Sequence, residues 1–185
     1  MADTFKILGI AGSLREKSFN RALLEAAKGL APEGMTIEIT DISQIPLYNE
    51  DVRTGGFPDA VTEFGRLIAE ADGVLIATPE YNYSVPGVLK NAIDWASRLP
   101  DQPFKDKPVA IMGAAAGRLG TARAQYHLRQ VFVFLDALVM NRPEVMVGAA
   151  YEAFNEDGSI KDETTAGFVR EQLETFARWI ERVRD

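Results

Sequence analysis

Phe5-Lys6-Ile7-Leu8-Gly9-Ile10-Ala11 is an apolar run of strand length that stops at Gly12-Ser13, and helical periodicity takes over soon afterwards. A run of this kind suits a parallel strand buried on both faces better than one with a wet side. Asn20 to Leu30 then spaces Ala22, Leu23, Ala26, Ala27 and Leu30 along one face of a helix. The alternation recurs down the chain. Met35 to Ile42 reads as a strand through Ile37, Ile39 and Ile42, and Asp59 to Ala71 as a helix through Val61, Phe64, Ile68 and Ala71. Gly73 to Thr78 is a third strand with a helix behind it over Gly87 to Arg98. Pro108 to Ala114 is a fourth strand, followed by a long helix from about Leu119 to Leu138. Val145-Met146-Val147 makes a short fifth strand. A closing helix from about Thr164 to Arg184 carries Phe168, Leu173, Phe176, Trp179, Ile180 and Val183 as its apolar stripe.

Strands that alternate with helices in this way form repeated βα units around a parallel sheet covered on both faces. The pattern predicts one α/β domain over residues 1–185, a flavodoxin-like three-layer doubly wound fold with a five-stranded parallel sheet in the order 2-1-3-4-5. Such a fold takes ligands outside the carboxyl ends of its strands, near the switch point between strands 1 and 3. Three loops fall there: Gly12 to Asn20, Pro79 to Pro86, and Gly113 to Gly120.

Composition narrows the partners. The net charge of -7 speaks against nucleic acid, whose phosphates demand clustered Lys and Arg, and lends no support to docking on an anionic membrane. With no cysteine in the chain, disulfides, thiolate catalysis and cysteine-ligated iron–sulfur clusters are excluded. Met1-Ala2-Asp3-Thr4 leads straight into the first strand without a signal peptide, and no apolar segment approaches the roughly 20 residues that span a bilayer, so a cytoplasmic protein is expected.

Gly12-Ser13-Leu14-Arg15-Glu16-Lys17-Ser18-Phe19-Asn20 crosses from a strand to a helix N-terminus, where free N–H groups and the helix dipole favour an anion. Ser13, Ser18 and Asn20 add short donors, and Arg15 adds a guanidinium able to grip two phosphate oxygens. The stretch is neither a Walker loop nor G-x-G-x-x-G, which favours a mononucleotide such as FMN over ATP or a dinucleotide. The competing reading makes Ser18 and Asn20 helix caps and nothing more. The second loop, Pro79-Glu80-Tyr81-Asn82-Tyr83-Ser84-Val85-Pro86, combines prolines that stiffen it with tyrosines and short polar side chains, a suitable wall for a flat ring.

"GSLREKSFN" followed by "PEYNYSVPGVLKNAIDW" resembles the NADPH-dependent FMN reductase family, which includes bacterial quinone, azo-dye and chromate reductases; the likeness runs on through "GAAAGRLGTARAQYHLRQVFVFLDALVMNRPEV". It implies that Ser13, Arg15, Ser18 and Asn20 hold the FMN phosphate. By the same likeness Pro79, Glu80, Tyr81 and Asn82 run along the isoalloxazine, Ser84 completes their turn, and Gly113, Ala114 and Ala115 line the flavin's other side. Relatives often carry a hydroxyl in that third loop; here Ala114-Ala115-Ala116 leaves only backbone contacts. The resemblance further implies dimers that pair into tetramers.

The expected activity is oxidation of NADPH or NADH with hydride passed through FMN, in ping-pong order, to quinones, flavins, azo compounds or oxyanions such as chromate. No catalytic side chain and no metal are expected, since the flavin carries the chemistry. A flavodoxin-like electron carrier without NAD(P)H turnover is the alternative, and a nucleotide-binding scaffold without activity a third reading. The single histidine, His127, lies mid-helix without catalytic companions and reads as structural. Lys90, Asn91 and Asp94 read as pinning the flavin loop or bridging subunits, Arg118 and Arg123 as solvated charges or a lure for the NADPH phosphate, and Arg53 as part of a Gly-rich lip. Glu152 to Asp162 reads as a solvated turn. Val131-Phe132-Val133-Phe134-Leu135, apolar all round, suggests either a subunit interface or a doubly covered helix.

Overall fold

The computed structural model describes residues 4–184, so the reading of Met1-Ala2-Asp3 lies outside the described residues. Strand β1 (Phe5–Ala11) pairs in parallel with β2 (Met35–Thr40) on one side and β3 (Gly73–Ala77) on the other, and β3 pairs with β4 (Pro108–Ala114). Beyond β4 lie two short strands instead of one. β5 (Leu138–Val139) pairs with Pro108 and Val109, and β6 (Val145–Val147) pairs with Met112, Gly113 and Ala114. The order is therefore β2-β1-β3-β4-β5 with β6 also on β4, all parallel, as expected except for the divided edge. The chain between the two short strands contains a cis Arg142–Pro143 bond.

Alternate strand residues feed two cores, which makes the three layers. Ile7, Leu75 and Met112 point to the side of α1 (Phe19–Leu30) and α7 (Glu163–Val183), where Leu23, Leu24, Leu173 and Phe176 cover them. Leu8, Val74, Ile76 and Ile111 point to the opposite side, against α3 (Asp59–Glu70), α4 (Gly87–Ala96) and α5 (Ala122–Phe134) through Phe64, Leu89, Leu128 and Phe132. Among the described residues no helix is long and apolar enough to cross a membrane.

The long helix after β4 is shorter than its periodicity suggests. It starts at Ala122 because Gly120 has φ of 59°, and it stops at Phe134 because Asp136 adopts φ of 55°. Ala137 N–H donates to the Phe132 carbonyl at 3.2 Å and Asp136 N–H to the Val133 carbonyl at 3.3 Å, a Schellman closure with Asp where glycine is usual. Leu138-Val139 then enters the sheet. Within Val131–Leu135, Phe132 and Leu135 are buried, whereas Val133 and Phe134 are 80% and 85% exposed, so burial on two sides is not what this chain provides.

Two short helices were not foreseen: α2 (Glu50–Thr54) and α6 (Ala150–Ala153). The supposed lip at Arg53 is α2, with Arg53 ion-paired to Glu50 within it. The supposed solvated turn begins in α6, buries Phe154, and ends with Asp162 capping α7 through bonds to the N–H groups of Thr164 and Thr165.

Candidate functional site

The carboxyl ends of β1, β3 and β4 bring the three loops together. Tyr81 Oη and Ser13 Oγ share a 3.4 Å hydrogen bond, so the first and second loops touch across the β1–β3 switch point. In the first loop Ser18 caps α1, its Oγ accepting from Asn20 N–H at 3.2 Å, and Ser13 Oγ accepts from Arg15 N–H at 3.3 Å. The N–H groups of Leu14, Glu16 and Lys17 meet no acceptor among the described residues, which leaves a donor-rich concavity at a helix N-terminus. Arg15 is exposed, with its guanidinium 5.4 Å from the Phe19 ring.

Asn20 is placed otherwise than expected. It is 2% exposed, its Nδ2 donates to the Ala114 carbonyl at 2.9 Å, and its Oδ1 accepts from Ala114 N–H at 2.9 Å. The side chain thus locks the first loop to the third and does not present its amide outward. The same bonds occupy the Ala114 backbone in the third loop. Ala115 is occupied as well, its N–H donating to the Val147 carbonyl and its carbonyl accepting from Ala150 N–H. The free N–H groups of that loop belong to Ala116, Gly117 and Arg118, one step further on. Gly113 lies below them, and a Cβ there would stand 2.0 Å from Thr121 Oγ1 and 2.4 Å from the Thr78 carbonyl oxygen. Only glycine lets β4 pass this close to the β3 end.

In the second loop Pro79 is buried and its carbonyl accepts from Thr78 Oγ1 at 2.9 Å. The Glu80 side chain turns inward. It is 5% exposed, caps the start of α5 by accepting from Arg123 N–H (2.9 Å) and Ala124 N–H (3.1 Å), and ion-pairs with the Arg123 guanidinium. Burial works against the Arg123 charge, but Glu80 and Tyr83 outweigh it and hold that pKa above the ordinary guanidinium value. Tyr81, Asn82 and Tyr83 are exposed, and Ser84 Oγ bonds His127 Nδ1 at 3.0 Å, which gives the lone histidine its structural occupation. Asn91 pins the loop after β2 rather than the loop after β3, accepting from Tyr48 N–H and donating to the Pro46 carbonyl, which also accepts from Trp95 Nε1. Lys90 and Asp94 pair with each other. Hydropathy carried no sign of the Asn20–Ala114 and Glu80–α5 bonds; a buried Asn two residues after a helix-capping Ser is the one hint.

A groove of about 1360 Å³ runs between α1 and the α6–α7 segment, reaching the first loop through Arg15 to Ser18. Away from that loop its walls mix charges, Arg21 and Arg170 with Glu25 and Glu163, so its donors converge only at the Arg15 to Ser18 end.

The sequence pattern described as "NADPH-dependent FMN reductase" matches residues 5–152, which takes in all three loops. The chain belongs to the NADPH-dependent FMN reductase family. This FMN reductase is similar over its whole length to an NAD(P)H-dependent FMN reductase of Pseudomonas aeruginosa, 58% identical over 184 residues with 100% of both chains covered. It is also similar to the quinone reductase of Escherichia coli K12, 46% identical with 100% of both covered. Among solved structures it resembles the flavoenzyme NAD(P)H:(acceptor) oxidoreductase of Paracoccus denitrificans, with TM-score 0.88, 36% identity and coverage of 97% of this chain and 98% of that one. Its cofactors are FMN and NAD(P)H. The donor set fits such a group: unpartnered amides in the first and third loops, the exposed cation of Arg15, and two exposed tyrosines beside them.

Proposed function

We propose that this FMN reductase passes reducing equivalents from NAD(P)H to quinones, with reductant and acceptor taking turns at one open face above the three loops. The observation that carries the reading is the cluster of unpartnered N–H groups at Leu14, Glu16 and Lys17, next to a helix N-terminus and in contact with Tyr81 through Ser13. The Leu14, Glu16 and Lys17 amides with Ser13, Ser18 and Arg15 would hold the FMN phosphate, and Pro79 to Asn82 would wall the ring. Asn20 and Glu80 serve from behind, fixing the loops. Ala116 to Arg118 supply backbone donors on the far side. Bound there, FMN supplies the two-electron chemistry, so no side chain has to act as a nucleophile.

Leu14, Tyr81, Tyr83 and Leu119 are between 50% and 67% exposed around this crest, an apolar rim suited to a flat, sparingly charged acceptor. Quinones match it best. Free flavins and azo compounds share the shape, and chromate would depend on Arg15 and Arg118 against a net charge of -7. We assign the chain to the cytoplasm and to a homodimer or homotetramer, with the adjacent exposed Val133 and Phe134 as a contact surface.

An absorbance spectrum of the purified protein, followed by anaerobic NADPH and then a quinone, tests the proposal. A flavin spectrum that bleaches with NADPH and returns with quinone is expected. Bleaching that needs a separate reductase would instead make the protein an electron carrier, and a protein that stays colourless after FMN is added would remove the flavin site.

A further inference from the structure

Tyr81-Asn82-Tyr83-Ser84 is a tight turn closed by two reciprocal backbone bonds. Tyr81 N–H donates to the Ser84 carbonyl at 3.1 Å, and Ser84 N–H to the Tyr81 carbonyl at 3.0 Å. Both central residues are left-handed, with φ of 50° at Asn82 and 67° at Tyr83. Turns of this kind favour Asn and Gly at those positions. Asn82 conforms. Tyr83 does not, because a bulky side chain is a rare occupant of the left-handed region and persists there only when its surroundings over-determine it.

Those surroundings are the first turns of α5. The Arg123 guanidinium carbon stands 3.5 Å from the Tyr83 ring centroid, a close cation–π contact. The same guanidinium pairs with Glu80, whose carboxylate is itself anchored on the N–H groups of Arg123 and Ala124. One helical turn later His127 holds Ser84. Arg123 Nε is buried with no hydrogen-bond partner among the described residues, which fits a guanidinium placed for the ring rather than for a full set of oxygen acceptors.

We infer that Arg123 is a positioning residue for the flavin-side turn, keeping Tyr83 in its left-handed conformation so that Arg123 and Tyr83 act as one unit. This rests on the assignment of Pro79 to Asn82 as the flavin wall, but its first readout does not need flavin. In the flavin-free protein, amide hydrogen exchange at Tyr81 and Ser84 reports whether the turn is closed. Arg123→Gln should speed exchange at both amides about tenfold and raise the FMN dissociation constant by about the same factor. Glycine takes positive φ freely, so in a Tyr83→Gly background the same Arg123→Gln change should alter both quantities less than about twofold.

Unchanged exchange in Arg123→Gln overturns the inference. So does an equal loss with and without Tyr83→Gly, since the Glu80 pair would then account for the whole effect. Arg123→Met removes the cation while keeping a long side chain to cover the turn, and runs through the same cycle if Arg123→Gln does not fold. If the exchange cycle behaves as stated but wild-type protein binds no FMN, the flavin assignment falls and the Arg123–Tyr83 unit stands.

Discussion

The carboxamide of Asn20 and the backbone of Ala114 complete each other's hydrogen bonding, one bond in each direction and both 2.9 Å long, 94 residues apart in sequence. The pair ties the start of α1 to the end of β4, which are the two sides of the ligand crest. Both partners are buried, so a truncation leaves an orphaned donor and an orphaned acceptor at once.

Asn20→Ala should therefore lower unfolding free energy by about 2–4 kcal/mol, as the two unsatisfied groups together imply. Urea denaturation of flavin-free protein measures it. A phosphate ligand with no structural duty would instead leave stability unchanged and alter only FMN affinity.

Arg15 presents the opposite case. It is exposed and its nearest ring partner, Phe19, is 5.4 Å away, so Arg15→Ala should change stability by less than about 0.5 kcal/mol. FMN affinity should fall about tenfold, the scale of one charge-assisted bond to a phosphate, with a weaker salt dependence than wild type. Fluorescence titration of FMN at two salt concentrations reads both. Equal affinity in the two proteins would remove Arg15 from the site.

At Gly113 a methyl group would collide with the Thr121 hydroxyl and the Thr78 carbonyl, and the second of these is backbone that has no rotamer to escape into. Gly113→Ala should destabilise the fold by about 2–3 kcal/mol, in the range for overpacking. A thermal melt of the flavin-free variant checks this, and a melt unchanged from wild type would show that the β3 and β4 ends part readily to admit the methyl group.

Glu50 offers a prediction in acid. Arg53 first, and the Tyr48 hydroxyl second, hold its carboxyl at about 2, below the ordinary 4.5. A carboxyl depressed by folding contributes fully above its unfolded pKa and loses that contribution as pH falls through the folded value. Helix α2 should accordingly stay protected down to about pH 4.5 and loosen between there and pH 2. Amide exchange within Glu50–Thr54 follows it, and Glu50→Gln should abolish the pH dependence in that window.

The strands and the large helices were legible because burial imposes a period on side chains, and a period survives in a linear string; the sheet order followed from the doubly wound fold that such alternating units build. Phe5–Ala11 and Pro108–Ala114 match their predicted bounds for this reason. The divided edge was not legible, because Leu138-Val139 continues the apolar run of α5 and only the left-handed Asp136 separates them. Asp takes that conformation more readily than most residues but does not announce it as glycine would.

What the string of residues decided by itself is the frame: three loops of unusual composition, delivered to one end of a parallel sheet, in a pattern shared with the FMN reductases. What only the tertiary structure decided is which groups in those loops are free. Asn20 reads in sequence as a phosphate donor and Glu80, by family likeness, as a neighbour of the ring; the fold gives each side chain a partner in backbone that is distant along the chain and adjacent in space. A hydrogen-bonding group satisfies whichever partner the fold brings within about 3 Å, and that choice has no periodicity to read.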